Sequence, residues 1–139
     1  MITIPKTIYN KMIAHAKAGY PNEACGILAG DPPQSAADRI AVTEFYAMRN
    51  LDEASISYFM DPKEQLKVFK EMRAKNLRML GIFHSHVASE AYPSQKDIRL
   101  AFYEEASYLI VSLSDKNKPV LRSFRIKDEK VTEEEIKIS

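Results

Sequence analysis

The chain has 139 residues, within the single-domain range of roughly 100 to 150 residues and long enough to bury a core without covalent staples. With 20 Lys and Arg against 19 Asp and Glu the formal charge is +1, which excludes bulk electrostatic attraction to nucleic acid or to an anionic membrane as the basis of function. Cys25 is the single cysteine, which excludes an intramolecular disulfide framework and a thiolate-rich structural zinc site, and favours a cytoplasmic protein.

The opening MITIPKTIYNKM has neither the apolar core nor the cleavage pattern of a signal peptide, and no apolar run approaches the roughly 20 residues of a membrane span. Pro5 suits the first position of a helix over residues 5–18, with Ile8, Met12 and His15 on one face and Gly19 as its stop. ACGILAG, residues 24–30, reads as a short buried strand, and the β-rich RIAVTEFYAM, residues 39–48, as a second. Asp61, Pro62 and Glu64 supply an N-cap, a first-turn proline and a capping-box acid for a helix over residues 62–75. MLGIFHSH, residues 79–86, predicts a strand, residues 94–106 a helix, and SYLIVSLS, residues 107–114, another strand. After the DKNK turn, VLRSFRIKD, residues 120–128, predicts one more, and the acidic VTEEEIKIS reads as a solvated final strand or short helix. Alternating strands and helices imply an α/β chain, a single domain in which a mixed sheet is flanked by helices on both sides.

Side chains alternate across a strand, so His84 and His86 project from one face with Cα atoms roughly 6.6 Å apart. Two such imidazoles can converge on one ion. A catalytic zinc site takes three protein ligands and leaves one position open for water. Asp97, eleven residues beyond His86 and in the first turn of a predicted helix, stands where a strand-loop-helix segment can supply the third. A plainer reading stays open from the residues alone. His-x-His is commonly a pair of half-buried polar residues, and Ser94-x-x-Asp97 is by itself a helix N-terminus.

His84-x-His86, seven residues, then Ser94-x-x-Asp97 resembles the signature of the JAMM (MPN-plus) metalloproteases, whose upstream glutamate PNEACGILAG, residues 21–30, looks set to provide. YFMDPKEQLKVFKEMRAKNLRMLGIFHSH and AYPSQKD extend the similarity from about residue 3 to residue 124. The resemblance implies the MPN/JAMM fold, related in architecture to the cytidine deaminases. It implies one zinc ion on His84, His86 and Asp97, activation of a water by Glu23, and support of the tetrahedral intermediate by the Ser94 hydroxyl. One departure is visible, since Val87 stands where the family commonly has proline, which bears on the substrate groove rather than the chemistry.

Family members cleave peptide or isopeptide bonds next to the Gly-Gly tail of ubiquitin-like proteins, and this short chain resembles the minimal prokaryotic form that acts on sulfur carriers of the ubiquitin fold. The expected function is a zinc metalloprotease of that kind. The rival from another class is a catalytically silent MPN-type interaction module, which would be expected to have lost a ligand or the base. A zinc nucleoside deaminase is disfavoured, because its H-x-E and P-C-x-x-C segments are missing. Lys63, Lys67 and Lys70 read as a solvated helix face rather than a nucleic-acid surface. His15 is expected to be a hydrogen-bonded packing residue, and Cys25 a small buried apolar group rather than a nucleophile. The acidic C-terminal segment could in principle occupy an open metal position, and no segment singles out a dimer surface.

Overall fold

The computed structural model describes residues 1–31 and 40–139. Its strands are β1 (Ile2–Ile4), β2 (Cys25–Gly30), β3 (Ile40–Met48), β4 (Arg78–His86), β5 (Ser107–Ser112), β6 (Val120–Lys127), β7 (Lys130–Glu134) and β8 (Ile136–Ile138). The helices are α1 (Lys6–Gly19), α2 (Pro62–Ala74) and α3 (Gln95–Arg99). All eight strands form one mixed sheet in the order β7-β6-β5-β4-β2-β3-β1-β8. Among the described residues, only β1–β3, β1–β8 and β4–β5 pair in parallel.

The central strands β2 and β5 are buried along their whole length, because helices cover both faces of the sheet and side chains of either parity meet apolar neighbours. On one face α1 presents Ile8, Met12 and Ala16 to Ile2, Ile4, Leu28, Val42, Phe83, Leu109 and Val111. On the other, α2 presents Val68 and Met72 to Ile27, Ala29, Ile82, Ile110 and Phe124. Each layer is the amphipathic stripe that the 3.6-residue period demands.

β7 and β8 occupy opposite edges of the sheet, yet only Glu135 separates them in the chain. The sheet must therefore curl until its edges approach, and the C-terminal segment ties them together by pairing first with β6 and then with β1. The Ile2 N–H donates to the Glu135 carbonyl at 2.9 Å, at the point where the segment changes partners. This also protects both edges of the sheet's interior strands from open solvent.

Most expected elements lie within a residue or two of their positions, and four points differ. The N-terminal ITI forms β1, a strand that the reading from Pro5 onward did not include. Pro5 is the residue before α1 rather than its first, and Glu64 does not close a capping box but accepts the Arg49 N–H at 2.8 Å. The expected helix over residues 94–106 is only α3, five residues long. Beyond Arg99 the backbone N–H groups find other acceptors, and Tyr103 donates to the hydroxyl of Tyr108 at 3.0 Å, which turns the chain into β5 instead of continuing the helix. The expected first residue of the second strand, Arg39, lies outside the described residues.

Candidate metal centre

β4 sets the site through an irregularity in its pairing. Leu28 pairs with Gly81 and Ala29 with Met79, so Leu80 is an extra residue in β4. The bulge resets the alternation, sending Leu80 to the α1 side and Ile82 to the α2 side. His84 and His86 follow at period two on the α2 face, at the C-terminal end of a strand parallel to β5. They are 1 % and 5 % exposed, a depth at which imidazoles need partners.

The chain then loops to α3, where a capping box holds the third group. The Asp97 N–H donates to Ser94 Oγ at 3.1 Å, and the Ser94 N–H donates to Asp97 Oδ2 at 2.8 Å. The same Oδ2 lies 3.2 Å from His84 Nε2 and 3.1 Å from His86 Nε2, and the two Nε2 atoms are 3.1 Å apart. Three donor atoms thus form a nearly equilateral triangle. His86 Nδ1 donates to the Glu90 carbonyl at 2.8 Å, which commits its ring proton there and turns the Nε2 lone pair toward the triangle's centre. Three donor atoms within this distance of one another form a group that could hold a shared cation. Tetrahedral zinc with bonds of about 2.0–2.1 Å needs donors roughly 3.3 Å apart, so the observed set fits such an ion.

Burial lowers the pKa of His84, only partly opposed by its hydrogen bond with Asp97. Burial acts the same way on His86, but the Asp97 and Glu90 contacts outweigh it and the pKa is raised. Burial would raise Asp97, yet its bonds with both histidines and the Ser94 N–H hold it well below the usual carboxylate range. The group therefore keeps an ionised carboxylate beside two imidazoles. Tyr58 stacks on the His84 ring at 4.8 Å between centroids and 25° between planes, and His84 Nδ1 has no hydrogen-bond partner among the described residues.

Glu23 stands just before β2, buried to 6 % exposure. Burial pushes its carboxyl up to about 7, with the Asp97 charge adding to the rise and His86 and Lys96 opposing it. It opens onto a cavity of about 320 Å³ with His86, Ser94, Val87, Ala88 and Ser89. Ile56 forms a wall shared with an adjoining cavity of about 230 Å³, lined by Tyr58, Phe59, Asp97, Leu100 and Phe102 among others. Glu23, His86, Ser94 and Asp97 thus line these adjoining cavities, and His84 lies buried behind them against Asp97. Val87, the visible departure from the family pattern, lines the Glu23 cavity.

Three residues that sequence reasoning passed over hold the region together. Ser85 accepts the Ala24 N–H on its hydroxyl at 2.8 Å and donates its own N–H to the Ala24 carbonyl at 2.9 Å. Its place between two histidines was the available signal. Asn50 and Tyr58 come from a loop distant in sequence and carry no local pattern. The remaining expectations resolve simply. His15 bonds the Cys25 carbonyl at 2.9 Å and packs edge-on against Phe45, as a packing residue should. Cys25 is fully buried, with its thiol pushed up to about 12 by burial, which leaves no thiolate at neutral pH. Lys63, Lys67 and Lys70 are exposed. The C-terminal segment does not reach the metal centre: Glu133 pairs with Arg122 at 2.7 Å, and Glu134 accepts from Ser123 at 2.8 Å, both on β6.

The sequence profile of the prokaryotic homologs of the JAB domain matches residues 5–127. The chain belongs to this family. Among curated relatives of this prokaryotic JAB protein, the CysO-cysteine peptidase of Mycobacterium tuberculosis is 38 % identical over 138 residues, covering 99 % of this chain and 91 % of that protein. The desampylase of Pyrococcus furiosus is 35 % identical over 105 residues, 69 % of this chain and 70 % of the relative. A protein of Desulfitobacterium hafniense solved in solution superposes with a TM-score of 0.90 at 47 % identity, covering 100 % of this chain and 93 % of the other. The expected JAB1/MPN fold and a minimal prokaryotic JAMM/MPN peptidase, a hydrolase, are both borne out. No helix among the described residues is long and apolar enough to cross a membrane.

Proposed function

We propose that this protein is a cytoplasmic zinc-dependent peptidase, working as one JAMM/MPN-plus domain, that hydrolyses the peptide or isopeptide bond at the Gly-Gly tail of a ubiquitin-like or sulfur-carrier protein. The observation that carries this reading is the triangle of His84 Nε2, His86 Nε2 and Asp97 Oδ2, with sides of 3.1–3.2 Å, bordering the cleft onto which Glu23 opens. The names of the mycobacterial and archaeal relatives support the substrate class.

His84, His86 and Asp97 would hold the zinc. Zinc bound there would polarise the scissile carbonyl and lower the pKa of a coordinated water to about 7. Glu23, with its carboxyl near neutrality, takes the proton from the attacking water and passes it to the departing amine. The Ser94 hydroxyl accepts the Asp97 N–H through its oxygen, which leaves its own proton to donate to the oxyanion. The apolar cavity lined by Ile56, Tyr58, Phe59, Leu100 and Phe102 accepts the extended tail, and glycines bring the carbonyl close because they have no side chains to clash.

The test is to incubate the protein with Gly-Gly-tailed carriers from its own genome and to weigh the products. Wild type should release the free carrier, and Glu23→Gln should retain stoichiometric zinc and lose cleavage. Cleavage by Glu23→Gln would overturn the assignment of the base. A protein that binds no zinc and cleaves no carrier would instead be the silent interaction module.

A further inference from the structure

Glu23 is held by a loop, not by the sheet. It precedes β2, and its N–H donates to the Ala54 carbonyl at 2.8 Å. Its own carbonyl accepts from Asn50 Nδ2 at 3.0 Å. The second proton on that nitrogen goes to the Ser57 carbonyl at 2.9 Å. On its other side, Asn50 Oδ1 accepts the N–H groups of Asp52 and Phe59, each at 3.0 Å. One buried amide therefore uses its whole hydrogen-bonding capacity, two donors and two acceptors, to close the segment from 50 to 59 into a fixed shape around the Glu23 backbone. An isolated bridge between Asn50 and Met60 seals the base of this loop.

The loop so fixed is functional wall on both sides. It contributes Ser55 and Ile56 to the Glu23 cavity, and the residues from Ile56 to Met60 to the adjoining one. Tyr58, stacked on His84, is on the same loop. The same loop thus touches the Glu23 backbone at one point and the His84 ring at another, while Ser85 anchors the neighbouring residue Ala24.

We propose that Asn50 is a positioning residue, which sets Glu23 for proton transfer by bonding its carbonyl while shaping the loop that packs on His84. This rests on Glu23 being the base. Misplacing a catalytic group by about 1 Å costs on the order of a hundredfold in rate, so the loss should fall on turnover rather than on binding.

The decisive variant is Asn50→Asp, which keeps the two acceptor contacts to Asp52 and Phe59 but loses both donors, with Asn50→Ala as the full truncation. Asp52→Ala serves as a control, because it removes the Ser57 hydroxyl's acceptor in the same loop without reaching Glu23. Both Asn50 variants should lower kcat by about ten- to a hundredfold, with bound zinc unchanged and any rise in KM smaller than the fall in kcat. Hydrogen exchange at the Glu23 amide should speed up in parallel, while Asp52→Ala stays within about twofold of wild type in kcat. The proposal is overturned if Asn50→Asp folds, holds zinc and turns over like wild type. It is also overturned if the loss is in KM alone, if zinc is lost with activity, or if neither variant melts cooperatively, since each outcome gives Asn50 a different role. Failure of the base assignment is distinct, because Glu23→Gln would then cleave whatever Asn50 does.

Discussion

Ser85 and Ala24 grip each other twice, the Ser85 N–H donating to the Ala24 carbonyl at 2.9 Å and the Ala24 N–H donating to Ser85 Oγ at 2.8 Å. The residue between the two histidines is thereby locked to the residue beside Glu23, so the histidine pair and Glu23 share one reference point. Replacing Ser85 with alanine leaves a buried N–H without its acceptor, at a cost of about 1–3 kcal/mol. Chemical denaturation should show that loss, and kcat should fall with it while zinc content stays near one per chain. Full activity in Ser85→Ala would mean that the Glu23 position is fixed without this contact.

Zinc should stabilise the protein as well as activate it. An ion that binds the folded chain alone adds about 2.7 kcal/mol at a hundredfold excess over Kd. Chelation is expected to lower the melting temperature and abolish hydrolysis, with both restored by zinc. In His86→Ala the zinc-dependent rise should vanish, because the triangle loses one corner. A rise that survives in His86→Ala would place the ion elsewhere.

Glu23 makes the metal-free protein's stability fall with rising pH. Its carboxyl titrates near 7 when folded against an ordinary value of 4.5, so between these the folded chain keeps a proton that the unfolded chain has released. Stability from this group is complete below the unfolded value and is lost as pH rises through about 7. Glu23→Gln removes the effect, so thermal melts of the two metal-free proteins should diverge progressively from about pH 5 to about pH 8, the variant gaining. Zinc should flatten the difference, since a nearby cation favours the carboxylate. Parallel melting curves across that range would show that burial does not perturb this group.

Cys25 should be dispensable for chemistry although it faces His84 across the β2–β4 pair. Its protonated, buried thiol acts as a small apolar filler, and Cys25→Ala should keep kcat within about twofold while costing on the order of 1 kcal/mol in packing. A complete loss of hydrolysis in a folded variant would assign the thiol a chemical role.

The local sequence carried much of the centre. A period of two put His84 and His86 on one side of a strand, and the Ser94-x-x-Asp97 spacing specified a capping box, because both depend on contacts within a few residues. The end of α3 was not legible, since the acceptor that diverts the chain is the Tyr108 hydroxyl, supplied by the next strand. Glu23 was distinguishable from the other acids only through the family resemblance.

What the sequence by itself determined is the set of short-range geometries: the histidine pair, the cap that aims Asp97, the apolar runs of β2, β4 and β5, and the lone cysteine. What only the tertiary structure decided is how they meet. The bulge at Leu80 chooses the face on which the histidines project, Ser85 holds Ala24 across 61 residues of chain and Asn50 holds the Glu23 carbonyl across 27, and the C-terminal segment joins the two sheet edges. These depend on hydrogen bonds and packing between segments remote in sequence, whose pairing follows from the whole folded surface rather than from any local period.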